Sequence, residues 1–166
     1  MNNEFKNRLQ SELEPLKAEV QEQENKIEME RKQDELRIEQ QKEKFGQNKL
    51  RIADFFSTCV EPLSNELISQ LGGKSSDPIG RGSEHQKISS ISIPCKNGSG
   101  IPCKLEIDIS CSAEALLLKV RAKVHQNKFD EAETYPATKF KNDEALNWLE
   151  TQALNAAKFI VENNRP

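Results

Sequence analysis

Residues 88–125 read ISSISIPCKNGSGIPCKLEIDISCSAEALLLKVRAKVH, and this stretch decides the fold. Three runs within it, at 90–95, 101–111 and 116–125, alternate apolar and polar residues. A two-residue period of this kind is typical of strands that bury one face. The sequence therefore predicts a three-stranded antiparallel meander whose apolar face packs against helices, which is an α+β fold.

Turn chemistry and side-chain parity predict the register of this meander, because a one-residue slip would turn a strand's apolar side chains toward water. With a three-residue, glycine-flanked loop at 98–100, the pairs expected in the first hairpin are Cys95 with Cys103, Ile93 with Leu105 and Ile91 with Ile107. With a four-residue loop at 112–115, the pairs expected in the second are Cys111 with Leu116, Ile109 with Leu118, Ile107 with Val120 and Leu105 with Ala122.

The opposite face of the predicted sheet is polar. The same register places Asp108 beside Lys119 and Glu106 beside Arg121, and each such opposite-charge pair stabilises a sheet by about 0.2–1 kcal/mol. Two functional uses compete with this structural role. The basic residues Lys104, Lys119, Arg121 and Lys123 can contact nucleic-acid phosphates, or the two carboxylates can act as a general acid and base. The possible contact residues on this face are Lys104, Glu106, Asp108, Lys119, Arg121 and Lys123.

Residues 1–46 are predicted to form a polar helical arm, since Glu, Gln, Lys, Asn and Arg predominate and the first glycine is Gly46. Five apolar residues spaced four, three, four and seven apart form a heptad seam, which favours a coiled coil. The residues of this heptad seam are Leu9, Leu13, Leu16, Val20 and Ile27. Beyond Ile27 the heptad positions are polar, and Ile38 instead continues an eleven-residue spacing. A solvated helix without a partner is therefore the alternative to a coiled coil.

Residues 47–166 are predicted to form the α+β domain, in the order α-β-β-β-α. Within it, residues 48–71 carry the strongest helical stripe of apolar residues in the chain. Pro62 must kink or restart this helix, because an interior proline removes a backbone hydrogen bond. Gly46 predicts a break before the helix, and Gly72 with Gly73 predicts its end. The segment 72–86 is rich in glycine and serine, which predicts a mobile surface loop.

The last forty residues predict a further helix after an ambiguous segment. Residues 126–141 offer a possible fourth strand, which Pro136 would limit to a sheet edge. Asn142 is expected to cap the C-terminal helix, with acids in the first turn. The residues of this helix expected to face the core are Leu146, Leu149, Ala153, Ala156, Ala157, Ile160 and Val161.

All four cysteines, Cys59, Cys95, Cys103 and Cys111, fall on positions assigned to a core face. Three interpretations compete for the predicted neighbours Cys95 and Cys103: buried free thiols, a cross-strand disulfide, or half of a metal site completed by Cys111, Cys59 or His125. Free thiols fit best, because free cysteine behaves as a small hydrophobe. Seven residues separate the two cysteines, unlike the close spacing of zinc knuckles. The sequence therefore predicts neither a metal nor a cofactor.

Composition and charge limit the classes of function that the sequence supports. A net charge of −3 and a pI near 5.6 give no overall signal for nucleic acid or an anionic membrane. With no apolar run of about eighteen residues and no secretory signal, a soluble cytoplasmic protein is expected. Both histidines, His85 and His125, lack a sequence neighbour that would complete a nucleophile-base pair.

The favoured hypothesis is a non-enzymatic protein-protein interaction or assembly module. In it, residues 1–45 associate with a second copy or with a partner helix, and the α+β domain supplies a second binding surface. A nucleic-acid-binding domain that uses the basic residues of the sheet face is the first alternative. A small enzyme that uses Glu106 and Asp108 is the second.

Overall fold

The computed structural model describes residues 2–76 and 82–166. Its helices are α1 (Asn3–Phe55), α2 (Glu61–Leu71) and α3 (Asn142–Asn163), with a π-helical segment at Phe56–Val60 and a 3-10 turn at Ala137–Lys139. Its strands are β1 (Lys74–Ser75), β2 (Gln86–Ile93), β3 (Cys103–Cys111), β4 (Ala115–Val124) and β5 (Asn127–Pro136). The fold is α+β, as the sequence predicted.

The chain divides into two compact units, Met1–Lys42 and Glu43–Pro166. The break predicted at Gly46 is wrong, because α1 continues through this residue to Phe55. A helical glycine costs only about 1 kcal/mol relative to alanine. Asn48 and Ile52, which follow it, are buried in the second unit and hold this part of the helix. Within the described ranges, no helix has both the length and the apolar content needed to span a membrane.

Pro62 lies in the first turn of α2, directly after the π-helical segment at Phe56–Val60. The backbone stays in the right-handed helical region at Val60 and Glu61, and the Glu61 N–H donates to the Phe56 carbonyl oxygen. Within the π-helical segment before the proline, the Thr58 hydroxyl donates a hydrogen bond to the Asp54 carbonyl oxygen at 2.8 Å.

Gly72 ends α2 as predicted. It has a left-handed conformation (φ 66°), and its N–H donates to the Ile68 carbonyl.

The sheet contains five strands rather than three or four, all antiparallel and arranged in the order β1-β2-β3-β4-β5. The ambiguous segment 126–141 supplies β5, which pairs with β4 along its whole length. Pro136 is its last residue and lies at the sheet edge, where a missing N–H costs no ladder hydrogen bond.

The opposite edge strand, β1, lies in the segment that the sequence assigned to a surface loop. Lys74 and Ser75 pair with Ser92 and Ile91 of β2, so the loop prediction is wrong for these residues. Gly73 permits the close approach, because a Cβ there would lie 2.9 Å from the Ser92 carbonyl oxygen. Residues 77–81 of the predicted loop lie outside the described residues.

The register of the β3-β4 hairpin is confirmed at every predicted pair, from Cys111 opposite Leu116 to Leu105 opposite Ala122. The predicted register between β2 and β3 is wrong by two residues. The observed pairs are Ile93 with Cys103, Ile91 with Leu105 and Ser89 with Ile107. Two prolines, Pro94 and Pro102, cannot donate to a ladder, so the connection runs from 94 to 102 instead of 98 to 100. A two-residue shift leaves every side chain on its predicted face.

The core lies between the apolar face of the sheet and the helices. Its fully buried members include Phe55, Val60, Ile91, Leu105, Ile107, Ile109, Leu118, Val120, Leu149 and Ile160. In α3 the buried residues are Ala145, Leu149, Ala153, Ala156 and Ile160. Leu146 and Ala157 are partly buried, as predicted. Val161 is 60% exposed, because it turns away from the buried stripe that ends at Ile160.

The predicted Asn142 cap of α3 is wrong. Lys141 occupies the capping position, and its side chain makes no hydrogen bond to the first turn.

Candidate functional site

The heptad seam of α1 is exposed along its whole length. Its five side chains retain between 39% and 66% of their accessible surface. Every residue from 2 to 44 is exposed, so this part of α1 receives no support from packing among the described residues. Helices in proteins gain most of their stability from burying an apolar face. The structure therefore presents an apolar stripe without a partner.

The remaining faces of the same helix carry local ion pairs. Lys32 Nζ lies 2.8 Å from Glu28 Oε1, and Arg8 lies 3.8 Å from Glu12, each pair being four residues apart. These side chains are more than half exposed, so each pair contributes only a few tenths of a kcal/mol, about 0.3–0.5. These ion pairs stabilise the helix locally and leave the heptad seam exposed.

The polar face of the sheet pairs its charges across β3 and β4. Arg121 lies 3.4 Å from Asp108 Oδ2 and 3.8 Å from Glu106 Oε2. Lys104 Nζ approaches Glu106 to 2.8 Å, and the Gln86 side-chain amide donates to Asp108 Oδ2 at 2.9 Å. Both carboxylates that the sequence offered as an acid-base pair are therefore ion-pair partners of Arg121. This geometry supports the structural role of these charges.

A shallow cleft of about 410 Å³ opens on this polar face between β3, β4 and β5. The ionic side chains that line it are Lys104, Arg121, Lys123, Lys128, Glu106 and Asp130. Four cations against two carboxylates leave the cleft with a net positive charge. Lys119, which the sequence grouped with the basic residues, does not line it. The cleft suits a small anionic group more than an apolar ligand.

A second cluster of polar side chains lies at one end of the sheet. Cys95 Sγ lies 2.7 Å from Asn97 Oδ1, 3.3 Å from Ser99 Oγ and 3.7 Å from His125 Nε2. These four residues form the thiol cluster. The β2-β3 connection supplies the first three, and the turn between β4 and β5 supplies His125. The core-strand position predicted for Cys95 is wrong, because β2 already ends at Ile93.

The pKa values of the two neighbouring thiols, Cys95 and Cys103, are shifted in opposite directions. The Ser99 hydroxyl lowers the pKa of Cys95 below its ordinary value, and hydrogen bonds from the Asn97 and Ser99 backbone act in the same direction. Burial raises the pKa of Cys103, and the nearby Cys95 raises it further. Cys95 is therefore the thiol of this pair that ionises first. All four cysteines are free, and of the predicted core positions only Cys103 is fully buried.

Sequence reasoning linked His125 to Cys95 and Cys103 only as one of three residues that could complete a metal site with them. It did not predict the direct contact between Cys95 and His125, although the strand order contains the signal for it. The end of β2 and the end of β4 lie at the same end of an antiparallel meander, so the segments that follow them are close together. Across the described ranges, no group of three or more His, Cys, Asp or Glu side chains is placed to hold a metal ion.

Comparison of the chain with protein-family models, with curated proteins and with solved structures found no match. Its function is therefore inferred from the geometry of these three surfaces: the heptad seam, the cleft and the thiol cluster.

Proposed function

We propose that the protein is a non-enzymatic assembly module in which α1 pairs with α1 of a second copy along the heptad seam. The observation that carries this proposal is the exposure of all five seam residues on a helix whose residues 2–44 are all exposed. Pairing removes apolar surface from water, at about 25 cal/mol for each Å² buried. The α+β domain of each copy then supplies a second binding surface.

The charges beside the heptad seam favour this second copy in the antiparallel orientation. Interhelical pairing is set by the residues just before and just after the seam positions. In a parallel pair, the facing residues are Glu12 with Lys17, Glu19 with Glu24 and Lys26 with Arg31 of the second copy. The first of these pairs attracts and the other two repel, so the parallel orientation is disfavoured.

In an antiparallel pair, the residues that precede the seam positions face one another. When Leu16 of one copy is level with Val20 of the other, Glu12 of each copy faces Lys26 of the second copy. Glu19 then faces Glu19 of the second copy, and this contact is repulsive. The residues that follow the seam positions also face one another, and Lys17 faces Lys17 of the second copy. Two attractive and two repulsive contacts are more complementary than the two attractive and four repulsive contacts of the symmetric parallel pair. A second copy of the chain is therefore the partner that these residues fit.

The test compares the solution mass of three full-length proteins by sedimentation equilibrium. Leu13→Lys with Val20→Lys places two charges in the heptad seam, and we expect the mass to fall to that of a monomer. Met29→Lys with Leu36→Lys is the control, because these residues lie off the seam and are at least as exposed, at 63% and 55% against 39% for Leu13 and 54% for Val20. The proposal is wrong if both variants have the mass of the wild-type protein.

A charge-exchange series then reports the orientation. Glu12→Lys weakens association in either orientation, because it removes the one attractive contact of Glu12 across the pair. Adding Lys17→Glu restores association only if the helices are parallel. Adding Lys26→Glu restores the contact with residue 12 in an antiparallel pair, but it also turns the Lys26–Arg31 repulsion of a parallel pair into an attraction, so Lys17→Glu is the variant that discriminates. We expect rescue by Lys26→Glu without rescue by Lys17→Glu, and any rescue by Lys17→Glu would overturn the antiparallel orientation.

Nucleic-acid binding is the second candidate function, and the positively charged cleft is the observation that favours it. Among the described residues, Lys123 and Lys128 line the cleft without an ion-pair partner. Contacts to phosphates release counterions, so binding should weaken steeply as salt rises. Fluorescence anisotropy with a labelled duplex tests this, with Lys123→Glu and Lys128→Glu against Lys139→Glu and Lys158→Glu as the exposed control. Absence of binding at low salt would contradict it.

A further inference from the structure

His125 occupies a strained position beside Cys95. Its backbone φ is 54°, in the left-handed region that residues other than glycine rarely adopt, at a cost of about 1–3 kcal/mol. It begins the two-residue turn between Val124 and Asn127, where glycine is the usual solution. The conformation places its Nε2 atom 3.7 Å from Cys95 Sγ, and the Asn97 side-chain amide donates to the same nitrogen. An Nε2 that accepts this hydrogen bond carries no proton, and its single lone pair can take the proton of Cys95 once the Asn97 hydrogen bond opens.

The backbone around Cys95 is fixed by a buried side chain at the end of α3. Asn164 is only 5% exposed. Its amide donates to the Pro94 carbonyl oxygen at 2.9 Å, and its Oδ1 accepts from the Lys96 N–H at 2.9 Å. Both neighbours of Cys95 are therefore tied to the core. The thiol is held against the imidazole by these supporting hydrogen bonds, as a pre-organised reactive group would be.

We propose that Cys95 is a thiol-disulfide exchange site, with His125 as its base and Cys103 as the second thiol. The co-reactant is a small-molecule disulfide, R–S–S–R. His125 Nε2 takes the proton of Cys95, and the resulting thiolate attacks one sulfur of the disulfide. A bond forms between Cys95 Sγ and that sulfur, the R–S–S–R bond breaks, and the leaving R–S⁻ takes the proton from His125.

The second step closes a disulfide within the chain. Cys103 Sγ attacks Cys95 Sγ in the mixed disulfide, the second R–S⁻ leaves, and it takes the proton of Cys103. One R–S–S–R is thereby reduced to two R–SH, and the two cysteines are oxidised to a disulfide. Cys103 is 1% exposed and cannot meet an external disulfide first, so the order of the two thiols is fixed by access. Its raised pKa also slows the second step, because a smaller fraction of this thiol is ionised at neutral pH.

The test follows the full-length, reduced protein during reaction with glutathione disulfide, using acid quenching and intact mass. We expect the wild-type protein to pass through a single glutathionyl adduct and end as an internal disulfide. Cys103→Ala should stop at the adduct, and Cys95→Ala should lose the fast reaction. Cys59→Ala is the control, because Cys59 is also partly exposed but lies outside the thiol cluster. Alanine at Cys103 keeps an apolar side chain in the core, and far-UV circular dichroism confirms folding.

The role of His125 is tested by the pH dependence of the first step. Because the pKa of Cys95 is lowered, the wild-type rate should rise at a lower pH than for an ordinary thiol. His125→Gln removes the base, and we expect the rate at neutral pH to fall by about tenfold or more, while the lowered pKa that Ser99 gives Cys95 remains. The difference between the two rates should disappear at high pH, where Cys95 is already ionised and needs no base. The proposal is overturned if Cys95 reacts no faster than Cys59, if Cys103→Ala forms no lasting adduct, or if His125→Gln leaves the rate at neutral pH unchanged.

Discussion

His125 combines backbone strain with a functional contact. A left-handed φ at a side-chain-bearing residue persists only where the surroundings hold it, and here the neighbours are Cys95 and Asn97. Strain of this kind is concentrated at functional positions rather than distributed through a fold. The proposed exchange site gives this histidine a chemical use that glycine, which would suit the backbone better, could not supply.

This explanation predicts opposite effects of one substitution on stability and on thiol chemistry. His125→Gly should raise the free energy of unfolding by about 1 kcal/mol, because glycine adopts a positive φ without steric cost. The same variant should slow exchange at Cys95, because the base is lost, although the Ser99 hydroxyl still keeps the pKa of this thiol below its ordinary value. Urea unfolding and reaction with glutathione disulfide measure the two effects. A variant that is less stable than the wild-type protein would show that the imidazole, rather than the backbone, dominates the energy of this turn.

Among the strands, the apolar pattern predicted the pairing that depends on the alternation of side chains. It gave the wrong pairing where prolines, which lack a backbone N–H, determine the end of a strand. The β3-β4 register follows from alternation and loop length, and it is confirmed throughout. The β2-β3 register is wrong because Pro94 and Pro102 exclude the ladder from the connection. The edge strand β1 has only two residues, both exposed, so no periodicity could reveal it. The direct contact between Cys95 and His125 was not predicted, because it depends on the course of the β2-β3 connection and on the turn that leads into β5.

Substitution by alanine should have opposite effects at Gly73, beside the edge strand β1, and at Gly46, inside α1. Gly73 packs against β2, and a Cβ there would lie 2.9 Å from Ser92 O and 3.0 Å from Ile91 Cγ2. Gly73→Ala should therefore destabilise the protein by about 1–3 kcal/mol, because β1 must move away from its neighbour.

Gly46 lies inside α1, and a Cβ added there would have no neighbouring atom within 4 Å outside the adjacent helix backbone. Gly46→Ala should stabilise the helix by about 1 kcal/mol. Guanidinium unfolding of the two full-length variants gives both values. A gain in stability for Gly73→Ala would mean that the close approach of β1 to β2 is not a structural requirement, and a loss for Gly46→Ala would contradict the uninterrupted course of α1.

At the scale of the whole molecule, the two units differ in how they use apolar residues. In Glu43–Pro166, apolar side chains of the sheet and helices form one core. In Met1–Lys42, the side chains of the heptad seam are exposed, and the chain offers nothing among its described residues to cover them. The sequence predicted this helix and its apolar stripe, but a stripe alone cannot identify what it contacts. The charges beside it favour a second copy.

The measurement that tests self-association most directly is the absolute mass of the full-length wild-type protein, by light scattering over a range of concentrations and at two salt concentrations. Pairing through the heptad seam predicts a mass at least twice that of the 18.9 kDa chain. The mass should persist at high salt, because apolar burial is not screened, whereas flanking charges are. A monomer at every concentration and both salt levels would contradict self-association, and would leave the polar face and the thiol cluster as the functional surfaces.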